Sequence, residues 1–176
     1  MAVSPTIRPE CAADYALRPC DPSLGDLVAS WVRDEREAFW LAPKTWPPIT
    51  GDDVRAWQRP GHEALVLVSH RDGQAVAYGE LNVLNAARGD YWLGHLLVDS
   101  AQRRRGLGLE LTRALLRWAR THYAARSVSL VVFPENVAAI RCYQAAGMRA
   151  VGYESHNLTP YCRRTRLLRM AITWSD

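Results

Sequence analysis

Apolar residues along this chain switch between the two-residue period of strands and the 3.6-residue period of helices. Residues 14–18 alternate over a short stretch and predict a first strand. Leu24, Leu27, Val28, Trp31 and Val32 fall on one helical face, predicting a helix from a cap at Asp21 or Ser23 to about Trp40. The run Ala42-Pro43-Lys44-Thr45-Trp46-Pro47-Pro48 carries too much proline for a helix or strand and reads as a loop. Thr50 opens a short helix to Trp57, with Asp52 and Asp53 in the partly positive first turn. Residues 63–70 and 74–84 are strand-like runs around Arg71-Asp72-Gly73, where Asp-Gly suits a hairpin turn.

The second half repeats this alternation with stronger signals. Residues 91–99 form an apolar strand that ends in a polar turn, and an amphipathic helix follows from Leu109 to about Tyr123. The β-branched run 127–133 reads as a buried strand. Asn136 caps a helix over 137–146, and Gly147 stands where a helix end favours left-handed backbone. Residues 151–154 and 167–173 supply two last strands. The unit from Leu96 to Val132 is strand, helix, strand, so its strands are expected to be parallel with a right-handed crossover. The expected fold class is therefore α/β: one mixed, mostly antiparallel twisted sheet flanked by helices, with a single parallel strand-helix-strand unit. One domain over 12–176 is expected, preceded by a tail over 1–11.

Composition narrows the classes. With 176 residues, 48% of them hydrophobic, the chain can bury a single core. No apolar run approaches a membrane span, and the first residues lack a signal-peptide pattern, so the expected compartment is the cytoplasm. Cys11, Cys20, Cys142 and Cys162 have no metal-ligand spacing, and the five histidines are scattered, so no metal is expected. The net charge of +4 comes with arginine clusters at 103–105 and 163–166. No nucleic-acid-binding motif accompanies either cluster, so neither nucleic acid nor membrane is expected as a partner. The oligomeric state is left open, a homodimer included.

The segment Val98-Asp99-Ser100-Ala101-Gln102-Arg103-Arg104-Arg105-Gly106-Leu107-Gly108 carries the chemistry. It links a strand to a helix N-terminus, where free N–H groups and the helix dipole favour phosphate. A nucleotide-binding P-loop is excluded because the chain's one lysine is Lys44, and the dinucleotide fingerprint lacks its third glycine. What remains is Arg-x-x-Gly-x-Gly at Arg103, Gly106 and Gly108. Downstream, Asn136-x-x-Ala139-x-x-x-Tyr143-x-x-x-Gly147-Met148 follows at helical spacing. Together these strings resemble the two signatures of the GCN5-related N-acetyltransferase family. The resemblance covers about Tyr91 to Gly152 and departs only in Met148, where the family has an aromatic residue.

The resemblance implies the acyl-CoA N-acyltransferase fold, acetyl-CoA as cosubstrate and a primary amine as acceptor, either a small amine or a protein N-terminus. Backbone groups of Leu96, Leu97 and Val98 would run beside the pantetheine arm. Arg103, Arg104, Arg105, Gly106, Leu107 and Gly108 would hold the pyrophosphate, with Asn136 beside the cofactor. Tyr143 would act as general acid towards the departing sulfur. The family's usual glutamate bases fall here on Trp92 and Val131, so both positions are empty. An alkylamine has a pKa near 10 and must lose a proton before it attacks. Glu80, a carboxylate inside an apolar strand, is the first candidate for the base, His95 the second, and a water chain the third. Trp31, Trp40, Trp46 and Trp57 either line the acceptor side or fill the core. Asp34, Glu35, Glu37, Asp52 and Asp53 are candidate attractors of a cationic amine. The competing readings are an aminoglycoside-type acetyltransferase and, in a different class, an acyl-CoA-binding sensor or interaction module without turnover.

Overall fold

A computed structural model describes residues 14–175 of the chain. The expected tail over 1–11, with Cys11, lies outside them. β1 (Tyr15–Pro19) leads into the short helices α1 (Gly25–Ser30), α2 (Glu35–Leu41) and α3 (Gly51–Trp57). β2 (His62–Ser69), β3 (Ala75–Asn85) and β4 (Asp90–Val98) follow, then α4 (Leu107–Tyr123), β5 (Ser127–Val132) and α5 (Val137–Ala145). β6 (Arg149–Leu158) and β7 (Arg163–Thr173) close the chain. The seven strands form one sheet in the order β1-β2-β3-β4-β5-β7-β6. Every neighbouring pair is antiparallel except β4 and β5, which are parallel as the crossover pattern requires.

Two expectations needed correction. The single helix expected from Asp21 or Ser23 to Trp40 is broken into α1 and α2. Asp34 has extended backbone and caps α2, its carboxylate accepting from the Glu37 amide at 2.8 Å. The Trp31 carbonyl is turned outward to accept from Arg103. The last two strands also run longer than the apolar pattern suggests. β6 is a largely exposed edge strand, so little alternation marks it, and the first turns of β7 are rich in arginine.

The core has two layers, one on each face of the sheet. α4 covers one face, where Leu107, Leu111 and Leu115 pack on Leu81, Leu93 and Leu130. Gly79 permits this contact, because a Cβ there would lie 2.8 Å from Leu115 Cδ1. Helices α1 to α3 cover the other face with Val28, Trp31, Ala38 and Val54 against Val66 and Tyr78.

β4 and β5 pair through Asp90↔Ser127, Tyr91↔Val128 and Trp92↔Ser129, and no further. β4 meanwhile stays on β3 by a bulge: Tyr78 faces Leu97, while Glu80, two residues on, faces Gly94. The extra residue leaves His95 in left-handed backbone, with φ 47°. The sheet therefore opens between β4 and β5 below Trp92.

Asp34→Ala removes the α2 cap and should lower stability by about 1 kcal/mol. Urea unfolding followed by tryptophan fluorescence checks this, with an unchanged midpoint arguing that the cap carries no stability.

Candidate active site

A cleft of about 990 Å³ passes through the opening between β4 and β5. Its walls include Leu111, Thr112 and Tyr143 from the α4 and α5 side, and Trp57, Glu80 and Asn82 from the opposite face. One cavity thus reaches both sides of the sheet, so a cosubstrate and an acceptor can approach each other from opposite faces. Of the four N-terminal tryptophans, Trp40 and Trp57 line it, Trp31 is core, and Trp46 is 69% exposed.

At one end the turn after β4 delivers the N-terminus of α4. Gly106 occupies the cap position at φ 79°, a left-handed geometry that costs glycine nothing. Gly108 has ordinary helical backbone, and a Cβ there would touch Cys142 Sγ at 3.5 Å. The amides of Gly106, Leu107 and Gly108 have no hydrogen-bond acceptor in the protein among the described residues. These are the orphan donors of a helix start, and they open onto the cleft.

The three arginines part ways. Arg103 folds back: Nε donates to the Val98 carbonyl at 3.2 Å, Nη2 to the Trp31 carbonyl at 2.9 Å, and Nη1 to Glu37. Arg105 donates to Gln102 at 2.7 Å and stands outside the cleft. Arg104, also in left-handed backbone, lines the cleft with no side-chain partner among the described residues. Of the candidate attractors for a cationic amine, only Glu37 reaches the cleft, and it is spent on Arg103 and Arg33. Asp34 caps α2, the Asp53 carboxylate accepts from the Thr50 amide and hydroxyl in the capping box of α3, and Asp52 pairs with Arg55.

α5 brings the second signature to the same cavity. Asn136 Oδ1 accepts from the Ala139 amide at 3.3 Å, capping the helix while the residue borders the cleft. Seven residues on, Tyr143 lines the wall. Burial and the neighbouring Cys142 raise its pKa, so the phenol keeps its proton throughout the neutral range. Burial also raises the Cys142 thiol, which keeps it a poor nucleophile.

Opposite them, the first and second candidates for the base prove to be one unit. Glu80 is 1% exposed, and its Oε1 accepts from Tyr78 Oη at 2.8 Å and from His95 Nδ1 at 2.9 Å. The His95 ring stacks on Trp57, with centroids 3.9 Å apart and planes 9° from parallel. With Nδ1–H donated to the carboxylate, the lone pair belongs to Nε2. Burial and the Glu80 charge push the Tyr78 phenol far up, so it remains a donor. Asn82, two positions along β3 on the same face, is 8% exposed, and its Oδ1 has no partner. Sequence reasoning missed Asn82, Tyr78 and the bracing role of Glu37. Glu80 and Asn82 at alternate positions of one apolar strand were the signal available for Asn82.

Comparison with known proteins agrees with this geometry. Residues 26–148 match the model of the Acetyltransferase (GNAT) family. A spermine/spermidine N(1)-acetyltransferase of Bacillus subtilis (strain 168) is 31% identical over 64 residues. That match spans 36% of this chain and 42% of the relative's length. Among solved structures, a GNAT-family acetyltransferase from Bacillus anthracis superposes with a TM-score of 0.76 at 16% identity, covering 91% of this chain and 95% of that one. A spermidine N-acetyltransferase from Vibrio cholerae, in complex with CoA and spermine, gives 0.76 at 15% identity, covering 92% and 96%. At these identities the likeness is one of fold. Among the described residues no helix is long and apolar enough to cross a membrane.

Glu37 yields a pH prediction. Burial alone would raise its carboxyl, but hydrogen bonds from Arg103, Arg33 and the Arg33 amide outweigh that and lower it from 4.5 to about 2. A depressed carboxyl stabilises the fold above its unfolded pKa and loses that contribution as pH falls through the folded one. The difference in Tm between the native protein and Glu37→Gln should therefore be full above 4.5 and vanish towards 2. Calorimetry across that range checks it, and a pH-independent difference would contradict the ion pair.

Proposed function

The chain belongs to the GNAT acetyltransferase family, and from that premise we propose that it moves the acetyl group of acetyl-CoA to an amine by direct attack. The supporting observation is the set of unengaged amides at Gly106, Leu107 and Gly108, opening onto a cleft that crosses the sheet. These amides and the α4 dipole would hold the pyrophosphate, helped by Arg104. Arg103 instead fixes the shape of the loop, and Arg105 is left to solvent. The edge of β4 from Leu96 to Val98, which no longer pairs with β5, would lie along the pantetheine arm.

On the acceptor side His95 is the base. Its Nε2 takes the proton from the ammonium, directly or through water, and Glu80 stabilises the imidazolium that results. Trp57 and the left-handed backbone at residue 95 hold the ring in place. The amine lone pair then forms the new C–N bond, the C–S bond breaks with its electron pair on sulfur, and the proton that the acylated nitrogen still has to lose passes to that thiolate, giving the neutral amide and the CoA thiol. Tyr143, kept protonated by burial, hydrogen-bonds to the departing thiolate. The raised Cys142 thiol argues against a covalent acetyl-cysteine route. Acetyl-CoA is an intracellular metabolite, which supports a cytoplasmic place of work.

Acetyl-CoA at about a hundred times its dissociation constant should stabilise the protein by roughly 2.7 kcal/mol. No shift in melting temperature at millimolar acetyl-CoA would remove the pyrophosphate site. Thiol release should fall by about a hundredfold in His95→Gln, with the base titration lost from the pH–rate profile. Tyr143→Phe should lower kcat by at least about tenfold with acetyl-CoA affinity retained. Full turnover in either variant would strip that residue of its role.

A further inference from the structure

Resting on the acetyltransferase reading, we infer that the acceptor is a single amine carrying a carboxylate and an apolar body, such as an apolar amino acid, and not a polyamine. The charge inventory of the acceptor half carries this inference. A polycation entering a cleft needs a free carboxylate for each ammonium group it desolvates. Among the described residues, Glu37 and Glu80 are the carboxylates that line the cavity. Both are already engaged, Glu37 by Arg103 and Arg33, and Glu80 by Tyr78 and His95. Among the described residues no acidic group of the cavity is left to receive a second ammonium.

The uncommitted charges have the opposite sign. Lys44 and Arg59 line the same half, and neither has an ion-pair partner among the described residues. Arg59 lies two positions beyond Trp57, the residue stacked on His95. His62 sits opposite Asn82 in the β2–β3 register, and both line the cleft. Arg59 is set beside this pair, its carbonyl accepting from the His62 amide at 2.8 Å, so a cation lies near Asn82, one strand step of about 7 Å from Glu80. A carboxylate held there leaves the amine of the same small molecule within reach of His95.

Asn82 supplies the neutral contact. Its Oδ1 is buried without a donor, an expensive state that an amine N–H of the acceptor would relieve. Trp40, Leu84 and Trp92 add apolar wall. Leu84 is half exposed, so an apolar side chain would cover it.

The test uses L-phenylalanine and L-methionine, their carboxamides, and spermidine. Binding is read first, as the shift in melting temperature of the protein saturated with CoA, and turnover second, as thiol release from acetyl-CoA. The free acids should shift the melting temperature where carboxamides and spermidine do not. They should also exceed the carboxamides in kcat/KM by at least about tenfold. The exposed charge reversal K44E/R59E should reduce that acid-to-amide ratio by about tenfold, with the shift produced by acetyl-CoA itself preserved. Spermidine or the carboxamides binding as well as the acids would overturn the inference, as would acids that fail to bind. Loss of the acetyl-CoA shift in the native protein would instead overturn the acetyltransferase reading, so the two failures are told apart.

Discussion

Everything functional in this molecule follows from the place where β4 and β5 stop pairing. Three residue pairs join them, and then the parallel ladder ends. β4 could not leave β5 and still bond to β3 without an extra residue to absorb the change of direction. The bulge at His95 supplies it. The same irregularity opens the cavity across the sheet, frees the backbone of 96–98 and turns the His95 ring towards Trp57. A left-handed histidine is costly, and it persists because β3, the stacked indole and Glu80 all hold it.

The crossover helix makes the second half of the site. A parallel pair requires a connection that returns over the sheet, and α4 is that connection. Its N-terminus is thereby set beside the mouth of the opening, where its unpaired amides face the cavity. Gly106 provides the left-handed cap, and Gly79 lets α4 settle close against β3. The proposed phosphate-binding end is a by-product of how parallel strands must be joined.

Arg103 gives the site its internal brace. Its guanidinium bonds the carbonyls of Val98 and Trp31 and the carboxylate of Glu37, joining the turn before α4 to the α1–α2 break. That break is where the expected single helix fails, and the outward Trp31 carbonyl is part of the reason. The brace also engages one of the two carboxylates that line the cavity among the described residues, Glu37. The proposed acceptor side is thereby left with cations, an orphaned amide oxygen and aromatic walls.

The sequence alone determined what depends on local order. The helices α3, α4 and α5, the Asp-Gly turn, the helix starts at Thr50 and Asn136 and the parallel unit are near-neighbour effects, and these are found. The two signatures marked the loop and Tyr143 because a helix start and a helix face each lie within one short segment. Tertiary structure decided which of three adjacent arginines stays free, since the answer sits 66 residues away at Glu37. It decided that Glu80 and His95, 15 residues apart, are partners and not rivals, because strand register and a bulge bring them together. The polar edge strand β6 and the empty partner list of Asn82 were likewise invisible to a linear pattern. Periodicity records which face a residue takes, whereas pairing across the sheet records whom it meets.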